Sequence, residues 1–326
     1  MYKSKLSIKE TQKAIEKIKQ DFPKILSLKL NLTRVSAPLF VEPSTGLNDG
    51  LNGEKAVKFE AKGIQKELEI VHSLAKWKRY ALAKYNFQPG EGLYADMNAI
   101  RREEDLSKFH SFYVDQWDWE KNILREKRTE AYLEKTVKKI YESFKELELD
   151  IIQRFPAISK KLPEDITFID SQDLEDLYPQ LTPEEREVAY AKEKKAIFIK
   201  RVGYKLKSGK VQSSRAVDYD DWTLNGDIIV YHPILNTAVE LSSMGIRVDS
   251  KALITQSQKP AEELKSLSPF HKELVEETLP FSIGGGIGQS RLCLFLLEKA
   301  HIGEVQVSYW TEEEIKRAEK QGINLL

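Results

Sequence analysis

Five stretches of the chain have a helical pattern. Between residues 7 and 28, apolar residues recur at three- and four-residue steps among charged ones, which predicts an amphipathic helix. Pro23 lies inside this stretch and predicts a kink. Ser73 is a suitable N-cap for a shorter helix that runs to about Tyr85. The other predicted helices are residues 129–155, 260–278 and 289–299.

Short alternating segments rich in β-branched residues predict strands between these helices. They are residues 30–40, 56–59, 67–71, 93–102, 111–120, 196–202, 228–232, 237–241 and 246–248. Pro38 limits the first of them to an edge or an interface. Residues 93–102 and 111–120 predict an antiparallel pair joined by a charged loop, and the Gly- and Asn-rich residues 43–53 predict another loop.

Strands in short antiparallel steps, with helices at the start, middle and end, predict an α+β fold: an antiparallel sheet flanked by helices. We expect one catalytic domain over residues 1–326. Within it, residues 121–195 are highly charged and contain Pro163, Pro179 and Pro183, which predicts a peripheral helical insertion.

The composition narrows the range of partners. Lys plus Arg and Asp plus Glu both number 51, so no net charge favours nucleic acid or an anionic membrane. No apolar run reaches the roughly 20 residues that span a bilayer, and the polar start lacks the apolar core of a secretion signal. With Cys293 as the single cysteine, an intrachain disulfide is impossible. These features predict a cytoplasmic protein that binds neither nucleic acid nor membrane.

The sharpest local motif is the glycine-rich run 284–288, followed by Gln289, Ser290 and Arg291. It is predicted to be a hinge into the last apolar helix. Glycines allow a ligand to approach the backbone, and an arginine offers a planar cationic fork for phosphate. The spacing is neither that of a Walker loop nor that of a Rossmann fingerprint. Glycines that merely pack a helix against a sheet are the alternative.

A second polar pattern combines Arg101 and Glu103 with the strand at 111–120. The period of two places Gln116, Asp118 and Glu120 on one face of that strand. Buried polar neighbours need partners, so an amide beside carboxylates indicates a ligand site. A solvated edge with a ladder of charges is the alternative.

Together these motifs resemble motifs 2 and 3 of class II aminoacyl-tRNA synthetases, and residues 32–40 are similar to their motif 1, at the dimer interface. The resemblance is strongest to ammonia-dependent asparagine synthetases, the aspartate-ammonia ligases. It is carried by residues 72–79, 90–94, 110–120, 218–222, 224–227, 240–247 and 284–292. Gln289-Ser290 replaces the Leu-Asp usual in the tRNA synthetases, which favours the ligases.

The resemblance implies a class II synthetase catalytic domain that acts as a homodimer. It implies synthesis of L-asparagine from L-aspartate, ammonia and ATP through β-aspartyl-AMP. Arg101 would hold the α-phosphate and Arg291 the outer phosphates, with Gln116 as a third catalytic residue. Ser111, Gly286 and Gly288 would also bind ATP. Asp227 and Glu240 would ligate Mg²⁺, which takes carboxylate and phosphate oxygens.

For aspartate, the implied contacts form a larger set. They are Asp49, Ser73, Lys76, Lys78, Asp118, Arg215, Asp220, Ser242 and Ser243. The start of a helix suits a carboxylate, which supports Ser73, Lys76 and Lys78, although a helical lysine is often merely solvated. Asp49 and Asp118 would face the ammonium group of aspartate, and the alternative is that they are turn or edge residues.

The nitrogen donor is expected to be free ammonia. Glutamine-dependent synthetases use an N-terminal cysteine nucleophile, whereas position 2 here is Tyr2 and Cys293 lies in an apolar run. His72 and His110 are candidate bases, but ammonia as nucleophile requires no strong base, and a lone histidine is more often structural. Two other functions stay open: an aspartyl-tRNA synthetase-like enzyme that activates the α-carboxylate, and a non-catalytic regulatory paralogue.

Overall fold

A computed structural model of the chain describes residues 2–50 and 53–326. The helices are α1 (Ile8–Leu30), α2 (Ala75–Lys84), α3 (Glu130–Arg154), α4 (Ser171–Leu177), α5 (Pro183–Lys194), α6 (Ser250–Ser257), α7 (Ala261–Leu267), α8 (Pro269–Val275), α9 (Gln289–Leu296) and α10 (Glu312–Gln321). None of these helices is long and apolar enough to cross a membrane. Leu51 and Asn52, in the predicted loop 43–53, lie outside the described residues.

The strands form one large and one small sheet. They are β1 (Leu32–Arg34), β2 (Phe40–Val41), β3 (Lys58–Glu60), β4 (Glu67–Ile70), β5 (Gly92–Ile100), β6 (Tyr113–Asn122), β7 (Thr167–Asp170), β8 (Ala196–Lys200), β9 (Asp220–His232), β10 (Thr237–Arg247) and β11 (Ser282–Gly288). The large sheet has the order β1-β5-β6-β11-β10-β9-β8-β7, and the small sheet has the order β2-β4-β3.

The central part of the large sheet is antiparallel from β5 to β8, including the predicted pair β5 and β6. At the two edges, β1 pairs with β5 and β7 pairs with β8 in parallel. The predicted α+β class and the antiparallel sheet flanked by helices are therefore confirmed, and the parallel edges make the complete sheet mixed.

The two faces of β6 explain how the sheet is used. Trp117 and Trp119 are fully buried on one face. There the ring of Phe22 in α1 packs against the rings of Trp117 and of Phe144 in α3, with centroid distances of 4.8 and 5.4 Å. Gln116, Asp118 and Glu120 alternate with them and therefore lie on the opposite face. One side of the sheet thus carries the main hydrophobic core, and the other side is left for polar chemistry.

The division into one domain with a helical insertion at 121–195 stays a prediction, but α3 is not peripheral. Leu133, Ile140, Phe144, Leu147 and Ile151 are buried in the main core, and α3 lies against α1. The apolar residues of α3 recur with the helical period and form a wide face, and α3 lies in the core because that face must be buried against other residues. Charge and proline content alone do not show which side of a helix is buried.

Several predicted boundaries were wrong. The predicted strand at 30–40 is only β1 and β2, which belong to different sheets. Residues 237–248 were divided into two strands but form the single strand β10. Residues 260–278 contain two helices, α7 and α8, rather than one. Pro23 lies within α1, which the structure shows as one helix.

The predicted glycine hinge at 284–288 is strand β11, paired on one side with β6 and on the other with β10. The polar face of β6 explains the glycines. A methyl group at Gly286 would lie 2.5 Å from Gln116 Oε1 and 2.7 Å from Asp118 Oδ1, and one at Gly284 would overlap the Glu120 carboxylate. The missing side chains leave room for the polar groups of the neighbouring strand.

Candidate active site

A cavity of about 460 Å³ opens on the polar face of the large sheet. Its walls come from β6, β10, β11, the start of α2 and the connection between β8 and β9. The predicted site residues that line it are Asp49, Ser73, Lys78, Arg101, Ser111, Gln116, Asp118, Arg215, Asp220, Glu240, Ser243, Gly286, Gly288 and Arg291. Residues from widely separated parts of the chain thus meet in one place, while the role of each remains a prediction.

The floor of the cavity is a buried group of charges. Arg247, at the end of β10, donates from Nε to both oxygens of Glu120 at 3.0 and 3.1 Å, and from Nη2 at 2.7 Å. Its Nη1 donates to Asp220. All three side chains are at most 3% exposed. Although burial acts to lower it, the two carboxylates raise the pKa of Arg247, so the guanidinium stays charged.

Polar groups at the start of α2 face the floor. Lys78 Nζ donates to the Gly285 carbonyl at 2.8 Å and lies 3.4 Å from Asp118 Oδ2. That same carboxylate oxygen accepts the Leu74 N–H at 3.1 Å. Ser73 Oγ donates to Asp49 Oδ2 at 3.2 Å. Complete burial lowers the pKa of Lys78, and the charge of Asp118 opposes that shift.

Arg101 and Arg291 also line the cavity. Arg101 Nη2 donates to the His72 carbonyl at 3.5 Å, while its buried Nε has no hydrogen-bond partner among the described residues. Arg291 Nη1 donates to the Glu240 carbonyl at 3.3 Å. Burial together with the charges of both arginines lowers the pKa of His110 to about 4, so this histidine is neutral at physiological pH. The shared effect on His110 shows that the two guanidinium groups act on one region.

Asp227 and Glu240 lie beside each other on β9 and β10, but Asp227 does not line the cavity directly. Arg215 Nη2 donates to both of its oxygens. Burial raises the pKa of Asp227 to about 6, against the charge of Arg215, and Glu240 raises it further. Burial also raises the pKa of Glu187, which bonds to Gln212 beside this pair, to about 8. Carboxylates are donors of the kind that Mg²⁺ prefers, and of these two only Glu240 lines the cavity.

A bulge in β10 separates the two predicted serines. The register with β9 shifts between Glu240 and Ser242, so Ser243 rather than Ser242 shares the cavity face with Glu240. Ser242 is 1% exposed, and within residues 2–50 and 53–326 its hydroxyl has no hydrogen-bond partner. The structure therefore places Ser243 in the cavity wall and Ser242 behind it.

Two other predicted residues have partners within the protein. Lys76 does not line the cavity, and its Nζ lies 2.6 Å from Asp218 Oδ2. Ser111 lines the cavity, but its hydroxyl bonds to the Tyr113 carbonyl at 2.7 Å and to Gln306 Oε1 at 2.5 Å. Gln306 in turn reaches Ser290 at 3.0 Å. The direct ligand contact predicted for Lys76 is thus not supported by its placement.

Sequence reasoning assigned no role to several other residues that line the cavity. They are Glu104, Phe109, Tyr113, Asp115, Tyr219, Arg247, Ser290 and Gln306, while His110, weighed only as a base, lines it too. Arg247 ends a segment that already carried the resemblance, so its charge was an available signal. Gln306 comes from a different region, and no local pattern connects it to the site.

Comparison with solved structures defines the class of fold. The asparaginyl-tRNA synthetase of Entamoeba histolytica, solved in complex with asparaginyl-adenylate, superposes with a TM-score of 0.67 at 15% identity, covering 93% of this chain and 68% of that chain. The asparaginyl-tRNA synthetase of Pyrococcus horikoshii superposes with a TM-score of 0.65 at 14% identity, covering 91% of this chain and 68% of that chain. The fold is that of a class II aminoacyl-tRNA synthetase catalytic domain, as predicted.

Sequence relatives define the family within this class. The model of the aspartate-ammonia ligase family matches residues 9–322. The aspartate-ammonia ligase of Ruminiclostridium cellulolyticum is 57% identical over 327 residues, covering 100% of this chain and 97% of that protein. That of Bacillus cytotoxicus is 55% identical over 326 residues and covers 100% of both. The chain belongs to the aspartate-ammonia ligase family, which confirms the predicted family and enzyme class.

Proposed function

We propose that the chain makes L-asparagine from L-aspartate and ammonia in two steps within this cavity. The β-carboxylate of aspartate first attacks the α-phosphorus of ATP, which forms β-aspartyl-AMP and releases pyrophosphate. Ammonia then attacks the acyl carbon, the bond to the AMP oxygen breaks, and the nitrogen loses a proton. A carboxylate is a poor electrophile, and adenylation supplies the leaving group. We also propose the cytoplasmic location that the sequence predicted.

The observation that carries the proposal is that two arginines line the same cavity as buried carboxylates and a buried ammonium group. Arg101 and Arg291 both act on His110, while Asp118 contacts Lys78 and Asp220 contacts Arg247. We assign the arginines to the phosphates, since guanidinium groups aimed at developing phosphoryl charge lower the barrier. The buried, partnerless Nε of Arg101 supports a ligand at that point.

The aspartate end of the cavity is proposed to hold the α-amino and α-carboxylate groups of that substrate. Asp118 and Asp220 are buried carboxylates that suit the ammonium group, and Lys78 is a buried ammonium that suits the carboxylate. Asp49, Ser73 and Ser243 are proposed to complete this end, and Gln116 also lines the cavity. Each buried charge would then gain a counter-charge from the substrate.

Magnesium is proposed to bind at Asp227 and Glu240. Their carboxylate oxygens are the right donors, and phosphate oxygens and water would complete the six ligands that Mg²⁺ usually takes. When bound, Mg²⁺ would neutralise phosphate charge as ATP reacts. In the structure Arg215 forms an ion pair with Asp227 and also lines the cavity. We therefore propose that this arginine balances the negative charge of the cation site.

The products of the purified protein test the reaction. With ATP, Mg²⁺, aspartate and ammonium, we expect asparagine, AMP and pyrophosphate in equal amounts, and no requirement for tRNA. Chromatography of the nucleotides and amino acids measures all three. Release of ADP and phosphate would contradict the adenylate.

Glutamine should not replace ammonium, because Cys293 is fully buried and burial raises the pKa of its thiol to about 12.

A two-fold dimer through residues 32–40 is also proposed. Leu39 and Phe40 are 49% and 44% exposed in the single chain, which suits a surface that a second copy covers. Leu39→Glu should convert dimer to monomer in sedimentation velocity at micromolar protein. Leu149→Glu is the matched control, since Leu149 is 57% exposed on α3, and it should leave the dimer intact. A monomeric parent protein would remove the proposal.

A further inference from the structure

A buried polar cluster lies directly behind the cavity wall, and the proposed chemistry does not use it. It consists of Lys76, Asp218, Ser268 and His271, which we call the Asp218 cluster. Asp218 Oδ2 lies 2.6 Å from Lys76 Nζ and 3.0 Å from His271 Nε2. His271 Nδ1 and Ser268 Oγ are 2.7 Å apart. The side chains of Lys76, Asp218 and His271 are 7%, 13% and 11% exposed.

Asp218 is the ionised centre of this cluster. Although burial acts to raise it, the hydrogen bond from His271 and the charge of Lys76 lower the pKa of Asp218 to about 2. Asp218 is therefore a carboxylate and accepts from His271 Nε2–H. His271 Nδ1 is in turn bonded to the Ser268 hydroxyl. A continuous chain of contacts thus joins Ser268, His271 and Asp218, and Lys76 pairs with the same carboxylate.

The cluster joins three segments that are far apart in sequence. Lys76 is in the first turn of α2, Asp218 is in the connection between β8 and β9, and His271 is in α8. A fourth segment touches it as well, because a methyl group at Gly46 would overlap Ser268 Oγ. Gly46 has φ of +70°, a conformation that favours glycine. The loop that carries Asp49 therefore rests on Ser268.

Three of these four segments also supply the wall of the cavity at its proposed aspartate end; α8 does not line it. Residues close in sequence to the cluster line that wall: Asp49 after Gly46, Ser73 and Lys78 around Lys76, and Arg215, Tyr219 and Asp220 around Asp218. A shift of any one segment relative to the others would move charged groups that are proposed to contact aspartate. Displacements of about 1 Å are enough to impair a polar site strongly.

A second ion pair gives a natural comparison. Arg128 Nη2 lies 2.8 Å from Asp221 Oδ2, and both side chains are 9% exposed. Asp221 is three residues beyond Asp218, but it does not line the cavity, and neither does Arg128. The two pairs have similar burial and similar geometry. They differ in the segments that they connect, since the Asp218 cluster joins the segments around the proposed aspartate end of the cavity.

We propose that Lys76, Asp218 and His271 are positioning residues for aspartate: they hold α2 and residues 213–220 in register without touching the substrate. The proposal rests on the proposed function. It also reassigns Lys76, which the sequence placed among the aspartate ligands. The cluster should therefore affect the KM for aspartate far more than the KM for ATP.

The first test compares Asp218→Asn with Asp221→Asn. Both changes are isosteric and weaken one buried ion pair, so both should lower Tm by a similar few degrees. Only Asp218→Asn should raise the KM for aspartate, by about 10- to 100-fold, with a change in the KM for ATP below about threefold. Equal KM values in the two variants would overturn the proposal. Failure of the parent protein to form asparagine would instead count against the proposed function.

A double-mutant cycle separates positioning from direct binding by Lys76. If Lys76 acts through Asp218, Lys76→Met with Asp218→Asn should be no worse than the more impaired single variant. If Lys76 binds aspartate itself, the two effects on kcat/KM should multiply, and the proposal is then wrong. Where Asp218→Asn does not fold, His271→Phe removes the contacts of the imidazole with Asp218 and Ser268 and keeps the Lys76 pair. It should raise the KM for aspartate about threefold or more, and an unchanged KM would reject the proposal.

Discussion

Replacing Arg291 by lysine should lower kcat/KM for asparagine formation by about two to three orders of magnitude while leaving the fold nearly unchanged. Lysine keeps the charge but loses the planar fork that binds two phosphate oxygens at once. In a largely desolvated site, loss of such a contact costs roughly 2 to 4 kcal/mol. The measurement is initial-rate asparagine formation at several ATP concentrations.

The structure explains why stability should change little. Arg291 is 23% exposed, and its side chain contacts the Glu240 carbonyl at 3.3 Å and the Glu240 carboxylate at 3.8 Å, both at the cavity. Removing the guanidinium therefore opens no hole in the core, and Tm without ATP should move by only a few degrees. If Arg291 merely packed the glycine strand against α9, Tm would fall while turnover survived.

A matched arginine on the surface provides the control. Arg125 Nη2 donates to both oxygens of Glu277 at 2.9 and 3.0 Å, and its side chain is 60% exposed. Arg125→Lys loses the same fork geometry away from the cavity, and we expect its kcat/KM to equal that of the parent. Near-normal activity in Arg291→Lys would remove the phosphate assignment.

Replacing Arg247 by methionine should give the largest loss of stability, about 3 to 5 kcal/mol. The variant leaves Glu120 and Asp220 as neighbouring carboxylates, both at most 2% exposed and without their cation. Desolvation then opposes both charges, because the guanidinium that compensated for it is gone. For a chain of this size Tm should fall by roughly 5 to 10 °C, measured by calorimetry without substrates.

The pH dependence of this loss has a definite sign. Burial already raises the pKa of Asp220, and the charge of Arg247 opposes that rise. Without Arg247 the folded carboxyls bind protons more readily than the unfolded ones, so protonation favours the folded variant. The difference in Tm between the parent and Arg247→Met should therefore shrink as the pH is lowered. A difference that grows on acidification would contradict this account.

A second substitution tests the cause. Adding Glu120→Gln to Arg247→Met removes one of the two uncompensated charges and should recover part of the lost Tm, because the penalty comes from unpaired charge rather than from a missing contact. Additive destabilisation of the two changes would mean that packing around Arg247, not its charge, holds the cavity floor together.

Local patterns in the sequence determined one side of the site. The period of two along β6 placed Gln116, Asp118 and Glu120 together, since alternation in a strand follows from backbone geometry alone. Arg101 and Arg291 were found from short motifs, and both line the cavity. The helical period likewise found α1 and α3, because an amphipathic helix shows its buried face in its own residues.

Contacts between distant segments decided the rest. The glycines at 284–288 belong to a strand because the side chains of β6 fill the space above them. Ser243 replaces Ser242 in the cavity wall because of a bulge in the pairing of β10 with β9. Lys76 and Arg215 are neutralised by Asp218 and Asp227. Strand register and ion-pair partners depend on which segments meet in space, and no local period in the sequence records that choice.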